Sequence, residues 1–248
     1  MMDHSRFARL AAVAGLVLAV TGADAESLAE ATTAFSEGRF VAAAGIAEAA
    51  GTSEGYALAA RSLAVYGHYS APEEEKKGLF ERALQLGEEA VRADTANPEG
   101  YFQSGHALGR YAQSIGTMTA LRKGLGGRTR KMFEATLARD PDHALAHLAL
   151  GGWNADIVSR AGRMMARVMY GATKKEAAAR FERALELAPE SKVVLLDYAL
   201  RLPKLAGKKG RERARELLEK AVALPVADVY GGFVHERAVA ALKALAGG

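Results

Sequence analysis

The sequence predicts an all-α chain: a right-handed α-solenoid of stacked helical hairpins closed by helical end caps. An apolar, alanine-bearing helix end followed by proline recurs four times: EEAVRADTANP at Glu88 to Pro98, FEATLARDP at Phe133 to Pro141, FERALELAP at Phe181 to Pro189 and LLEKAVALP at Leu217 to Pro225. Alanine is abundant, aromatic residues are only 7% of the chain and β-branched clusters are few, a balance that favours closely packed helices over sheets. At 248 residues and 50% apolar the chain can bury one sizeable core, so one folded unit is expected. An array of this kind presents a surface for binding rather than an enclosed reaction centre.

Residues 1–25 follow different rules. Arg6 and Arg9 give a basic start, Leu10 to Val20 is an apolar run, and Ala23-Asp24-Ala25 offers an A-x-A cleavage site, which reads as a secretory signal peptide cut after Ala25. The run is short for a bilayer span, and no later stretch approaches the necessary length. The expected location is periplasmic or secreted, with residues 26–248 as a single repeat domain. The chain has no cysteine, which excludes disulfides, thiolate metal sites and lipid attachment near the cut. A formal net charge of +4 is too mild to point to nucleic acid.

Glu26 to Ala50 reads as a hairpin turning at Gly38, with Leu28, Ala31, Phe35 and then Phe40, Ala43, Ile46 and Ala47 at helical spacing. Glu54 to His68 is the next helix. Ser70-Ala71-Pro72 before three glutamates signals a new start, with Ser70 as the cap candidate, and that helix runs to about Ala93. Glu99 to Ile115 follows Pro98 and carries Leu108-Gly109. A loop or broken segment is expected at Gly116 to Gly127, then a helix from Arg128 to Arg139. Asp142 to Arg160 carries Leu150-Gly151, Ala161 to Ala172 is an extra segment, and Thr173 to Leu187 closes the unit. Ser191 to Leu202 and Lys208 to Leu224 form the last hairpin, and Gly232 to Leu245 caps the end.

Small Ala177, large Phe181 and small Ala184 on one helix, then Pro189, then Leu195, Tyr198, Ala199 and Leu202 on the next, give the alternation that lets neighbouring helices interlock. This pattern resembles the tetratricopeptide repeat. Ala90, Ala135, Ala184 and Ala221 are 45, 49 and 37 residues apart, against a usual period of about 34, so the repeats are degenerate and carry insertions. The stretch Phe133 to Ala184, with its Asp-Pro helix ending, Leu-Gly-x-Trp helix and basic, apolar insert, is similar to the core of the regulator of microtubule dynamics family, and the similarity runs from about Arg61 to Leu224. The resemblance implies a repeat-built interaction protein. Animal members are associated with microtubules, which an exported bacterial chain does not meet, so fold and binding character are what carry over.

The groove of such an array is lined by the first helix of each hairpin, and these are rich in polar-tipped aromatics, histidine and arginine. Tyr66, His106, Arg110, Tyr111, Trp153, Asn154 and Arg201 are the expected partner-binding residues, with His68, Tyr101, His147, Asp156 and Tyr198 nearby in sequence. For Trp153 and Tyr198 a core role competes with that reading. Met164, Met165 and Met169 form either a pocket wall for a small apolar ligand or a short helix packed over the repeat junction. Arg122, Lys123 and Arg128 around Gly124 to Gly127 are either an anion contact or a solvated loop; the ending of a phosphate loop is missing. His143 and His147 lie one turn apart, yet alanine stands at 144 where the zinc helix motif needs glutamate, so no metal or cofactor is expected. No nucleophile stands in an elbow context. The expected function is a non-catalytic scaffold binding a protein or peptide, with a small-molecule or lipid carrier serving a transporter as the alternative.

Overall fold

The computed structural model describes Gly22 and residues 24–247, and every regular element among them is helical. The expected leader lies outside the described residues except for its last positions. Residues 24–36 form α1, and α2 (Phe40–Ala49) follows a turn in which Gly38 has φ +81°. Four further hairpins come next: α3 (Ser53–Tyr69) with α4 (Glu73–Ala93), α5 (Pro98–Ser114) with α7 (Leu125–Arg139), α8 (Ala144–Ala161) with α10 (Lys174–Leu187), and α11 (Lys192–Ala199) with α12 (Leu202–Ala223). Short helices α6 (Thr117–Arg122) and α9 (Arg163–Tyr170) are inserted in the middle two, and α13 (Val229–Ala246) ends the chain.

Half of the starts from α2 to α13 are fixed by side-chain caps. Thr52, Asn97, His143, Thr173, Ser191 and Asp228 each accept a hydrogen bond from a backbone N–H of the first turn, satisfying a donor the helix cannot. At α4 the expected Ser70 cap is absent. Pro72 is itself the N-cap residue, its extended backbone setting the entry, and the three glutamates sit in the first turn against the helix dipole. The expected loop at Gly116 to Gly127 contains α6, and α7 begins at Leu125 rather than Arg128, directly after Gly124 in the left-handed region. Gly207 (φ +60°, ψ −130°) breaks α12, leaving a single turn from Leu202 before the long outer helix.

One packing device repeats. In three successive hairpins a phenylalanine of the outer helix lies against a glycine of the inner one: Phe80 on Gly67, Phe133 on Gly105 and Phe181 on Gly151. A Cβ on these glycines would stand 2.8, 2.7 and 2.9 Å from the ring, so only hydrogen fits. In the second hairpin the seat is Gly105, one turn before the Leu108-Gly109 pair that sequence spacing selects; a Cβ on Gly109 would find its nearest neighbour at 3.8 Å. Polar bonds tie successive hairpins at a constant offset. Asn97 Nδ2 donates to Ser53 Oγ at 2.8 Å and His143 Nε2 meets Glu99 Oε2 at 3.2 Å, each pair 44 residues apart.

The array curls until its ends meet. Phe233 of α13 stacks on Tyr69 at 5.2 Å and contacts Phe40 at 6.3 Å, while Tyr230 packs edge-on to Phe35 at 6.1 Å. Arg237 Nη1 donates to Tyr69 Oη at 3.2 Å and stands 3.2 Å from His68 Nε2. The last helix therefore closes the solenoid against its first hairpins instead of merely capping one end.

Candidate functional site

Closure turns the concave face into an inner wall built from α3, α5, α11 and α13. Arg61 and His68 lie two turns apart on α3, His106 and Arg110 one turn apart on α5, and Tyr230 and Arg237 two turns apart on α13, spacings that place each pair on one helix face. Arg110 sits where these faces converge, acting electrostatically on His68 and His106 and interacting with Asp197, Tyr69, Arg237 and Tyr230. It makes no hydrogen bond or ion pair among the described residues. Arg61 lies over the Phe35 ring at 4.5 Å and Arg237 over Tyr69 at 5.7 Å, and neither makes an ion pair among the described residues. His106 stacks parallel to Phe102 at 6.1 Å.

The electrostatics follow from that crowding. Burial first, then the Arg110 charge, takes both His68 and His106 down to about 3, so both rings are neutral at physiological pH. Burial also depresses the Arg110 guanidinium, partly offset by the Asp197 carboxylate. Asp197 is shared, because Arg201 Nη1 approaches its carboxylate at 3.6 Å. The wall thus has an excess of poorly solvated positive charge and aromatic rings beside it.

The sequence-predicted residues divide. His106 and Arg110 come together on the wall, and half-buried Tyr66 packs in the aromatic cluster at its closing seam. Tyr111 is core, packed with Phe80, Leu108 and Leu125. Trp153 is also buried; its indole N–H donates to the Gly126 carbonyl at 2.9 Å. Asn154 spends both polar ends internally, donating to the Leu150 carbonyl and accepting from the Thr173 N–H. Arg201 belongs to a different recess, a cleft of about 670 Å³ lined by Asp156, Arg163, Lys174, Arg201, Lys204 and Leu205. Tyr198 stacks on Phe181 at 4.8 Å and donates to Glu182 at 2.6 Å, and Tyr101 lies under Arg139 at 3.8 Å.

Tyr111, Trp153 and Met165 share no cavity. The first two sit in separate core clusters, and Met164, Met165 and Met169 are exposed on α9. Arg122 is exposed at the end of α6, Lys123 stands 5.7 Å over the Tyr111 ring and Arg128 is 3.6 Å from Glu88. His143 caps α8, while His147 bonds the Pro141 carbonyl and stands 3.3 Å from Arg180. Arg61, Tyr69, Asp197, Tyr230 and Arg237 went unselected in the sequence reading. The repeat of Tyr230, Phe233 and Arg237 at three and four residues is the signal that marks the inward face of α13.

Among the described residues no helix is long and apolar enough to cross a membrane. Residues 47–246 match the family described as regulator of microtubule dynamics protein 1-3. Among solved structures, the chain is similar to a thermophilic TPR protein of Thermus thermophilus, at 19% identity and a TM-score of 0.63, with 89% of this chain and 100% of that one covered. It is also similar, at 16% identity and a TM-score of 0.42 over 88% of this chain and 90% of the other, to YrrB, a TPR protein with an unusual peptide-binding site. The chain matches no curated protein.

Proposed function

The chain belongs to the regulator of microtubule dynamics protein 1-3 family, and from that premise we propose that it is a repeat scaffold seating a protein or peptide segment on its inner wall, with a carboxylate held at Arg110. One observation carries the reading. Arg110 is half-buried among groups from four helices, its charge opposed by that burial, without a hydrogen bond or ion pair of its own among the described residues. A guanidinium in that state gains a charge-assisted, bidentate bond from a carboxylate, and the flanking Tyr69, Tyr230 and His106 rings offer area for the rest of the segment. Catalysis is no part of the reading. Export to the periplasm rests on residues 1–25, and sequencing the N-terminus of the chain from expressing cells should return Glu26.

Closure of the array favours a second reading, a small carboxylate-bearing molecule in the same place, because a ring holds a compact guest better than an open cleft does. Both are tested together. Immobilised Asp- and Glu-containing peptides, their Asn and Gln counterparts, and free short dicarboxylates are offered to the chain and to Arg110→Gln. The acidic peptides should bind at least about tenfold more weakly to the variant, the loss expected when one partner of a desolvated pair is removed. Retention of neutral and acidic peptides alike would overturn the proposal, and binding of dicarboxylates alone would select the second reading.

A further inference from the structure

Three of the four hairpins pass from inner to outer helix through segments that, with the adjoining helix ends, span residues 116–133, 157–175 and 198–211, whereas the turn from α3 to α4 is short and runs into Glu73, Glu74 and Glu75. Each segment holds five Lys or Arg residues and no Asp or Glu. The opposite edge, where outer helices return to inner ones, carries Asp94, Glu99, Asp140, Asp142, Glu190 and Asp228. Helix dipoles do not produce this division, because each edge joins one helix C-terminus to one N-terminus and the two fields oppose each other. Some of the basic groups are paired, as Arg130 with Glu134 and Arg128 with Glu88, but Arg122, Arg163, Arg167, Lys208 and Lys209 make no ion pair among the described residues.

The same edge exposes its apolar side chains. On α9, Met164 is 81% exposed, Val168 76%, Met169 65% and Met165 55%, while Ala166 alone is fully buried. Positions 164, 165, 168 and 169 form one strip along the helix, with Arg163 and Arg167 flanking it. Met118 and Leu121 of α6 project in the same manner at 64% and 54%. The end of α9 is fastened to the start of α7, the helix that follows α6. Trp153 bonds the Gly126 carbonyl at the start of α7 and meets Tyr170 at the end of α9 edge-on at 6.3 Å, and Arg130 Nη1 donates to the Tyr170 carbonyl at 2.6 Å.

We propose that this edge docks on an anionic lipid bilayer, with α9 lying in the interface, its methionines and Val168 in the acyl boundary and its basic neighbours against the headgroups. Charge decides between occupants. The basic residues around the strip match an anionic headgroup surface, and side chains this exposed enter a soft phase without needing a matching pocket. Methionine suits such a phase because its unbranched chain adapts to a fluid boundary. The surrounding lysines and arginines supply the electrostatic half of binding, about 1 kcal/mol each near an anionic surface.

The absence of cysteine allows a clean test on the full chain. Val168→Cys and, as a control on exposed α12, Glu219→Cys carry an environment-sensitive fluorophore and are mixed with phosphatidylcholine vesicles or with vesicles rich in phosphatidylglycerol. The probe at 168 should brighten and shift to the blue with the anionic vesicles alone, while the probe at 219 stays unchanged. Met164→Glu with Val168→Glu, and Arg163→Glu with Arg167→Glu, should each weaken vesicle co-sedimentation about tenfold or more while keeping the parent melting temperature. The apolar run at 10–20 is common to every variant, so differences between variants are what count. No shift at 168, an equal shift on neutral vesicles, or sedimentation unaffected by both double changes would overturn the proposal.

Discussion

The inner wall and the outer basic edge have the same sign of charge in opposite settings. On the wall, Arg110 is half-buried beside two histidines that burial and its own charge keep neutral. At the edge, Arg163 and Arg167 stand in water next to exposed methionines, and their field fades within about 10 Å at moderate salt. The contrast teaches that burial, more than charge count, sets what a basic surface can do. A desolvated guanidinium discriminates between individual groups, whereas a solvated cluster responds to the average charge of a large surface.

That contrast can be broken first at the scaffold on which both surfaces rest. Gly151→Leu drives a side chain into the Phe181 ring and should cost about 3 kcal/mol, read as a lowered midpoint in urea, with a native midpoint removing the glycine seat from the account. Next comes the seam. Phe233→Ala removes the stack on Tyr69 and should cost about 2 kcal/mol of the docking of α13, less than a fully buried phenylalanine because this ring is partly exposed. Hydrogen exchange in α13 should accelerate and the radius of gyration rise in solution scattering, while vesicle binding at the edge stays as in the parent.

The most gradual effect concerns pH. The folded value of His106, about 3, lies below its ordinary 6.5, so between these limits the unfolded chain binds a proton the folded chain excludes. Its stability contribution is fully present above about pH 6.5 and is lost as pH falls toward 3, by up to about 1.4 kcal/mol per pH unit. Thermal melts from pH 7 to 5 should show the decline, and His106→Leu should reduce its slope. Vesicle binding at the edge involves neither wall histidine and should be flat across the same range.

Much of the fold was legible because hairpin ends are written locally. Asn97, Thr173 and Ser191 cap the helices their sequence context announces, and Pro98, Pro141, Pro189 and Pro225 each follow the end of an outer helix. The wall was half legible: one turn of spacing set His106 and Arg110 side by side, but Asn154 has the same sequence character and points into the protein. Local spacing cannot tell these cases apart, because what separates them is an insert, α9, whose following residue Thr173 claims the Asn154 side chain. Ring closure joins residues about 170 apart, such as His68 and Arg237, and no local pattern encodes so distant a meeting.

The bonded ends have a topological consequence. A groove open along its flank lets cargo of any length lie down sideways, but the contact of Tyr69 with Phe233 shuts that flank at the seam, so a long chain reaches Arg110 from that side only once the final helix has lifted away. Entry and escape would then be timed by the unlatching of one aromatic clasp.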